Sequence, residues 1–233
     1  MSIKKRATPK PLKIIKEPQP LLLRQVKPRT KNQNKIFESF RSDQNIFIHG
    51  FPGTGKTYLS LYNALNSVLL EDGYDKVVVV RSAVPSRDQG YLPGNEKEKE
   101  EIYKLPIKAI INEEFFGRKD AYNFLENSGK IEFLSTSYLR GITIRDAVII
   151  VDEVQNLNWG EINTIITRTG EGCKVILCGD SGQNDLIYLR EESCISNLKT
   201  TINKIRSFNT IEMGLEDIMR GGLVKEWLAA TIK

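Results

Sequence analysis

The chain is poor in the residues that build metal clusters and disulfide frameworks. Its 233 residues include three cysteines, one histidine and two tryptophans. Cys173, Cys178 and Cys194 are odd in number and lack CxxC spacing, and His49 is the only histidine that could join them. We therefore interpret the cysteines as free thiols and expect neither a disulfide scaffold nor a zinc site.

Long apolar runs are missing as well. No stretch of the sequence approaches the roughly 18 consecutive apolar residues that a membrane helix needs. Proline and lysine interrupt every apolar run near the N-terminus, which is not the pattern of a secretory signal. We expect a cytoplasmic protein that does not enter a membrane, with one α/β domain and appendages in its 233 residues.

Acidic residues are nearly absent from the first 35 positions. This stretch holds eleven lysines and arginines against the single acid Glu17, a local charge of +10, whereas the remainder holds 23 basic and 28 acidic residues, a net of −5. It also contains five prolines and no sustained helical period, so we assign residues 1–27 as an extended or disordered basic arm. Such an arm could bind nucleic acid through its phosphates. A solubilising tail or an arm that embraces a neighbouring subunit is the alternative.

What the chain does contain is a glycine-rich loop between an apolar run and an amphipathic segment. Residues 50–57, GFPGTGKT, match the P-loop pattern G-x-x-x-x-G-K-[ST] at every fixed position. Glycines permit positive φ, so the backbone N–H groups can turn inward and form an anion-binding nest at a helix N-terminus. Lys56 would reach the β and γ phosphates of ATP, and the Thr57 hydroxyl would hold Mg²⁺. The predicted nucleotide-binding residues of this loop are Gly50, Pro52, Gly53, Thr54, Gly55, Lys56 and Thr57.

An acidic pair follows a second apolar run. Residues 147–151, AVIIV, immediately precede Asp152 and Glu153. Such a run is typical of a strand buried on both faces of a parallel sheet, and it would end at the edge where ligands bind. Asp152 is the second candidate for the Mg²⁺ shell, and Glu153 is the candidate base that polarises water for attack on the γ phosphate. The pair favours hydrolysis over phosphate transfer to a small acceptor.

Three more apolar runs also end in polar residues. Residues 174–178 are followed by Gly-Asp-Ser-Gly and then Gln183, our candidate for sensing the γ phosphate, with a plain turn as the alternative. Residues 77–80 and 131–134 are also followed directly by polar residues. Strands of this kind, separated by helical segments, predict a three-layer α/β fold with a mainly parallel sheet and helices on both faces.

Aromatic residues cluster between the valine-rich run and the acidic run. We interpret them as the core of a helical insertion at about residues 94–127, with a base-stacking platform as the alternative. These residues are Tyr103, Phe115, Phe116, Tyr122 and Phe124.

Several linked motifs resemble the PhoH family of P-loop ATPases, whose nucleotide domain resembles one RecA-like half of a superfamily-one helicase. The resemblance covers roughly residues 28–228. Besides the P-loop and the acidic pair, it rests on residues 28–33 (PRTKNQ), 81–84 (RSAV), 90–94 (GYLPG), 140–143 (RGIT), 152–156 (DEVQN), 167–170 (TRTG), 179–186 (GDSGQNDL) and 217–220 (DIMR). The chain departs from the family pattern at Ser82, where proline is usual, at Ile142, where arginine is common, and at Gly221, where histidine is usual.

The resemblance implies a RecA-like ATPase domain over residues 28–233, with ATP and Mg²⁺ as ligands and Gln33 reading the adenine edge. A simple helix start is the alternative reading of the segment around Gln33. It also implies a homo-oligomeric ring, often a hexamer, and a link to RNA. With one RecA-like half per chain, an arginine finger would come from a neighbouring subunit. The candidates are Arg220 and Arg168, followed by Arg140 and Arg81, and each could instead form a surface ion pair.

The predicted function is Mg²⁺-dependent ATP hydrolysis coupled to helicase-like movement or remodelling of nucleic acid, with single-stranded RNA preferred to DNA. Two other classes stay open. One is a nucleoside or small-molecule kinase, which would need an acceptor pocket and an arginine-rich lid. The other is a nucleotide-gated assembly protein with little turnover. The helicase-like DEVQ and GDSGQ segments favour the ATPase over the kinase.

Overall fold

In the computed structural model, residues 21–71, 73–82, 96–180 and 195–231 are described. Their strands form one sheet in the order β3-β2-β4-β5-β1-β6, and every neighbouring pair is parallel. The strands are β1 (Asn45–Gly50), β2 (Lys76–Arg81), β3 (Ile131–Ser135), β4 (Ala147–Val151), β5 (Lys174–Asp180) and β6 (Phe208–Met213). The strand that leads into the P-loop, β1, is therefore separated from the acidic strand β4 by β5.

Helices cover both faces of this sheet. They are α1 (Lys31–Arg41), α2 (Lys56–Leu70), α3 (Glu96–Ala109), α4 (Ala121–Asn127), α5 (Trp159–Arg168), α6 (Ile195–Ile202) and α7 (Gly222–Thr231). A π-helical turn, Ile110–Phe115, continues α3. Capping explains where two of the helices begin: the Thr30 hydroxyl accepts the Gln33 N–H, and Asn158 forms a capping box with Glu161 at the start of α5.

Successive strand residues point to opposite faces and enter two separate cores. Ile46 and Ile48 of β1 join a core with α1, α2 and the π turn, whereas Phe47 between them joins a core with α5 and α6. The same alternation holds along β2, β4 and β5. Apolar side chains on both faces explain why these strands are continuous apolar runs. The predicted three-layer α/β fold with a parallel sheet is confirmed.

The predicted basic arm lies only partly within the described residues. Residues 21–30 run without regular structure, and Leu21, Leu23 and Val26 pack against the core on the α2 face. The Arg24 N–H donates to the Phe115 carbonyl at 2.9 Å. We call residues 21–30 the strap, because they pack along the body of the protein before α1 begins.

The interval predicted as a helical insertion contains α3, the π turn and α4. Phe115 and Tyr122 are fully buried, and the Phe115 ring lies 4.9 Å from that of Tyr58 on α2. Tyr103 and Phe116 are partly buried against the same core, while Phe124 is 41% exposed. The interpretation of the aromatic cluster as core is confirmed for all but Phe124. Among the described residues, no helix is both long and apolar enough to cross a membrane.

His49 gives the stability of the fold a predictable dependence on pH. Its ring is buried on β1, 5.0 Å from the ring of Phe47, and burial, aided by the charge of Lys199, lowers its pKa from 6.5 to about 4. Between pH 6.5 and pH 4, His49 is protonated in the unfolded chain and neutral in the folded chain. Stability contributed by neutral His49 is therefore lost as pH falls from 6.5 towards 4.

We expect His49→Gln, whose side chain stays neutral, to lose less stability than the wild type between pH 7.5 and pH 5. The difference should be on the order of 1–2 kcal/mol, measured by urea unfolding at both pH values. Equal losses in the two proteins would contradict a neutral, buried His49.

Candidate active site

The P-loop leaves β1 at the edge where the carboxyl ends of all the strands meet. Gly50, Gly53 and Gly55 have φ of 133°, 73° and 90°, a region that L side chains rarely adopt. A Cβ on Gly50 would also overlap the Met213 carbonyl of β6. The loop then enters α2 at Lys56, so its N–H groups lie at a helix N-terminus, as an anion-binding nest requires.

Lys56 lies within the curve of the loop. Its Nζ donates to the carbonyl oxygens of Phe51 at 2.7 Å and Gly50 at 3.3 Å. Burial lowers the pKa of Lys56, and the nearby carboxylates, Asp180 foremost, partly oppose that shift. The ammonium group is thus held at the mouth of the nest, where phosphate oxygens would bind.

The strongest link between the two predicted motifs is a hydrogen bond from Thr57 to Asp152. The Thr57 hydroxyl donates to Asp152 Oδ1 at 2.5 Å, joining the first turn of α2 to the end of β4. A hydroxyl and a carboxylate are hard oxygen donors, and Mg²⁺ in nucleotide sites takes few protein ligands besides waters and substrate phosphates. Thr57 and Asp152 therefore fit the predicted Mg²⁺ site. No group of three or more His, Cys, Asp or Glu in the described part of the chain could hold a metal.

Glu153 is held in an unusual backbone conformation beside Asp152. Its φ is 55°, in the left-handed region that non-glycine residues rarely occupy. Burial raises the pKa of Glu153, and the neighbouring Asp152 carboxylate raises it further. This environment favours a carboxylate that can accept a proton, as a general base must.

Gln155 is a site residue that the sequence reasoning missed. It is 1% exposed; its Nε2 donates to Glu153 Oε2, and its Oε1 accepts the Asp180 N–H at 2.8 Å. The amide thereby connects the end of β4 to the end of β5 and orients Glu153. Its position in the DEVQN segment was the available signal.

Arg81, at the end of β2, contacts both acids of its own chain. Its Nε lies 3.3 Å from Asp152 Oδ2 and one terminal nitrogen lies 3.7 Å from Glu153 Oε1, while the other donates to the Tyr103 carbonyl on α3 at 3.2 Å. Only 18% of the side chain is exposed. This geometry places Arg81 within its own site, not at the site of a neighbour.

Gln33 links the start of α1 to the P-loop. Its Oε1 accepts the Arg29 N–H at 2.9 Å, and its Nε2 donates to the Thr54 carbonyl at 3.1 Å. The residue is 3% exposed and lines a cavity of about 750 Å³ with Tyr58 and the strap. Thr30 caps α1, as the helix-start reading expects, and Gln33 borders a cavity beside the loop. The role of Gln33 in reading adenine stays a prediction.

The structure brings most of the predicted site residues to one cavity of about 270 Å³. Arg220 also lines this cavity. Arg168 does not: it ends α5 beside the bridge between Ile144 and Thr169, which precedes β4 and β5 at the opposite edge of the sheet. Gln183 lies outside the described residues. The predicted residues in the cavity are Pro52, Gly53, Gly55, Lys56, Thr57, Asp152 and Glu153.

Comparison with known proteins gives one family. The family model described as PhoH-like protein matches residues 25–231. The chain is similar to a PhoH-like protein of Bacillus subtilis (31% identity, covering 88% of this chain and 63% of that protein) and to one of Mycobacterium leprae (32% identity, 86% and 57%). It therefore spans less than two thirds of the length of these curated relatives.

Among solved structures, the chain is similar to the Pif1 helicase of Candida albicans, with 18% identity and a TM-score of 0.37. That similarity covers 79% of this chain and 40% of the helicase. It is also similar to a KaiC-like protein of Pyrococcus horikoshii, with 14% identity and a TM-score of 0.36, covering 68% of this chain and 71% of the other.

Gln155→Ala tests how much the site depends on its buried amide. The change removes the acceptor for the Asp180 N–H and the donor to Glu153, so we expect the free energy of unfolding to fall by about 1–3 kcal/mol. Urea unfolding measures the loss. The matched control is Asn163→Ala, which removes an exposed amide on α5 and should shift stability by less than about 0.5 kcal/mol. Similar losses in both variants would mean that the two hydrogen bonds of the Gln155 amide do not stabilise the fold.

Proposed function

The chain belongs to the PhoH-like protein family, and from this premise we propose that it hydrolyses ATP with Mg²⁺ and couples hydrolysis to movement along, or remodelling of, nucleic acid. We propose single-stranded RNA as the preferred polymer and a homo-oligomeric ring as the working assembly. The observation that carries the catalytic part is the 2.5 Å hydrogen bond between Thr57 and Asp152, which joins the phosphate-binding loop to the acidic strand.

Each residue around that bond has a role in hydrolysis. The nest and Lys56 bind the phosphates, and Lys56 places a positive charge beside the β and γ positions. Glu153, next to Asp152, accepts a proton from the attacking water, and Gln155 keeps its carboxylate in place. When bound by Thr57 and Asp152, Mg²⁺ supplies charge neutralisation for the phosphate oxygens.

The arrangement favours water over a small-molecule acceptor. The candidate base, Glu153, is the residue directly after Asp152, the candidate Mg²⁺ ligand. Arg81 lies near both of their carboxylates. The larger cavity, of about 750 Å³, lies on the side of the loop formed by Gln33, Tyr58 and the strap, where the nucleoside would extend. Among the described residues, the cavity at the γ-phosphate end is smaller, about 270 Å³, whereas a kinase would need room there for its acceptor.

Nucleic acid is proposed as the partner because of charge. The eleven basic residues among the first 35 give this region a charge of +10, and the strap, which belongs to it, packs against the core. Lys27 and Arg29 of the strap line the cavity beside the P-loop. Polymer bound at Lys27 and Arg29 would lie close to the ATP site, as coupling requires. The preference for RNA rests on the family resemblance.

A ring is proposed because Arg168 lies at the edge of the sheet opposite the site of its own chain. It ends α5, whose Trp159 and Ile166 lie seven residues apart on one helix face and are 37% and 39% exposed. An exposed apolar face of this kind is suited to a subunit contact. Arg168 lies on the other side of the same helix, at its last residue. Such a head-to-tail contact closes into a ring or grows into a filament.

Two substitutions separate binding from hydrolysis. We expect Lys56→Ala to lose both tight ATP binding and turnover, because it removes the charge at the phosphate site. Glu153→Gln should keep ATP binding and lose roughly 10²–10⁴-fold in kcat, because it removes the base. Steady-state ATPase assays and competition with a fluorescent ATP analogue measure the two effects. Glu171→Gln, at an exposed acid on the opposite edge of the sheet, is the control. Wild-type turnover by Lys56→Ala would overturn the assignment.

The basic arm is tested by salt dependence. Replacing Lys4, Lys5, Arg6 and Lys10 by alanine should weaken binding of single-stranded RNA and flatten the plot of log affinity against log salt. The slope should change by about 0.7 for each RNA phosphate that the variant no longer neutralises. Fluorescence anisotropy at several salt concentrations measures both effects. The control replaces four exposed cations of the body, Lys119, Lys204, Arg206 and Lys225. An unchanged slope in the arm variant would assign the arm to another partner.

A further inference from the structure

A segment near the C-terminal end of the chain crosses its own P-loop. After β6, residues 214–220 pass over the loop, and we call them the crossing segment. The Met219 N–H donates to the Gly53 carbonyl at 2.9 Å. A Cβ placed on Gly53 would lie 2.8 Å from Cγ of Arg220, so the arginine stem lies directly on this glycine. Gly53 therefore serves two needs, its own positive φ and room for Arg220.

The position of Arg220 gives its guanidinium access to both parts of a nucleotide site. The residue lines the cavity that holds Lys56 and Asp152, and it also lines the larger cavity beside Gln33. Arg220 is exposed. Among the described residues, none accepts a hydrogen bond from its guanidinium and none forms an ion pair with it. Its fork of donors points to an anionic ligand, because arginine pairs with phosphate oxygens through two parallel hydrogen bonds.

A buried carboxylate holds the crossing segment in place. Asp217 has no exposed surface, and its carboxylate accepts hydrogen bonds from the Thr30 hydroxyl, from Asn32 Nδ2 at 2.8 Å and from the Gly214 N–H at 2.8 Å. Thr30 and Asn32 belong to the start of α1. The crossing segment is therefore tied to α1 at Asp217 and to the P-loop at Met219, one residue before Arg220.

We infer that Arg220 binds the phosphates of ATP held by its own chain, with Asp217 as the residue that positions it. This inference rests on the proposed function. It differs from the expectation that Arg220 reaches into the site of a neighbouring subunit, since the crossing segment makes its contacts within one chain. Arg168, at the far edge of the sheet, is left as the candidate for a neighbour's site.

Mixed assemblies distinguish the two arrangements. Arg220→Ala and Lys56→Ala chains carrying different tags are coexpressed, and assemblies that contain both are isolated by two successive affinity steps. If Arg220 served a neighbour, about a quarter of the sites in a head-to-tail ring would combine an intact Lys56 with an intact Arg220. If Arg220 serves its own chain, no site combines the two intact residues, because every chain lacks one of them. We expect the mixed assemblies to show no more ATPase activity than the two variants measured separately.

Each outcome of this experiment decides the inference. Recovery towards a quarter of wild-type activity overturns it, and so does an Arg220→Ala protein with wild-type turnover and ATP affinity. If the two tagged chains do not copurify, a loss of at least tenfold in Arg220→Ala supports the inference directly, because each active chain then supplies its own arginine. Lys225→Ala, at an exposed cation on α7, is the matched control. A wild-type protein that binds ATP without hydrolysing it refutes the proposed function instead, and the affinity of Arg220→Ala for ATP then tests the inference.

The role of Asp217 is tested by coupling to Arg220. We expect Asp217→Asn to lower turnover in the same direction as Arg220→Ala, and the double variant to be no worse than Arg220→Ala alone, because both changes act through one guanidinium. A purely structural role would make the losses multiply. Asn32→Ala removes one hydrogen bond to Asp217 and replaces Asp217→Asn if that variant does not fold. Glu226→Gln, at an exposed acid on α7, is the control. Multiplying losses would overturn the positioning role.

Discussion

The structure depends on the parallel pairing of β1 with a neighbour on each side. Gly50, the last residue of β1, is in register with Asp180 on β5 and with Met213 on β6. Only a glycine allows the approach to the Met213 carbonyl, and its positive φ starts the turn of the P-loop. Because parallel strands end at the same edge, this pairing brings the loop, the end of β5 and the crossing segment together. The other site residues lie around the loop and the strand ends that this pairing brings together.

Around it, the site is held together by charged and polar groups that would be costly to bury singly. Arg81 lies against Asp152 and Glu153, the Gln155 amide joins Glu153 to the backbone of Asp180, and Thr57 donates to Asp152. Removing one partner from such a network leaves another group without compensation, so the parts are interdependent. Arg81 also reaches the Tyr103 carbonyl, which places the helical segment between β2 and β3 in direct contact with the residue that holds both acids.

Segments from near the start and near the end of the described chain both contact the P-loop. The strap and the start of α1 approach from one side through Gln33, and the crossing segment approaches from the other through Met219. Asp217 joins the two through Thr30 and Asn32. The P-loop is therefore bordered by segments from near the beginning and near the end of the fold.

Local sequence patterns were sufficient to predict the fold class and part of the site. The P-loop spacing, the apolar run before Asp152 and Glu153 and the alternation of helical and strand segments predicted the layered fold and the central pair of motifs, because backbone conformation and two-sided burial act over a few neighbouring residues. The partners of Arg81 and Gln155, the buried amide of Gln33 and the position of Arg220 on Gly53 could not be predicted in this way. These contacts join residues far apart in the chain, as Thr30 and Asp217 are at a separation of 187 positions. Which distant segments meet is decided by strand order and by the packing of helices on the sheet, and these are properties of the tertiary structure alone.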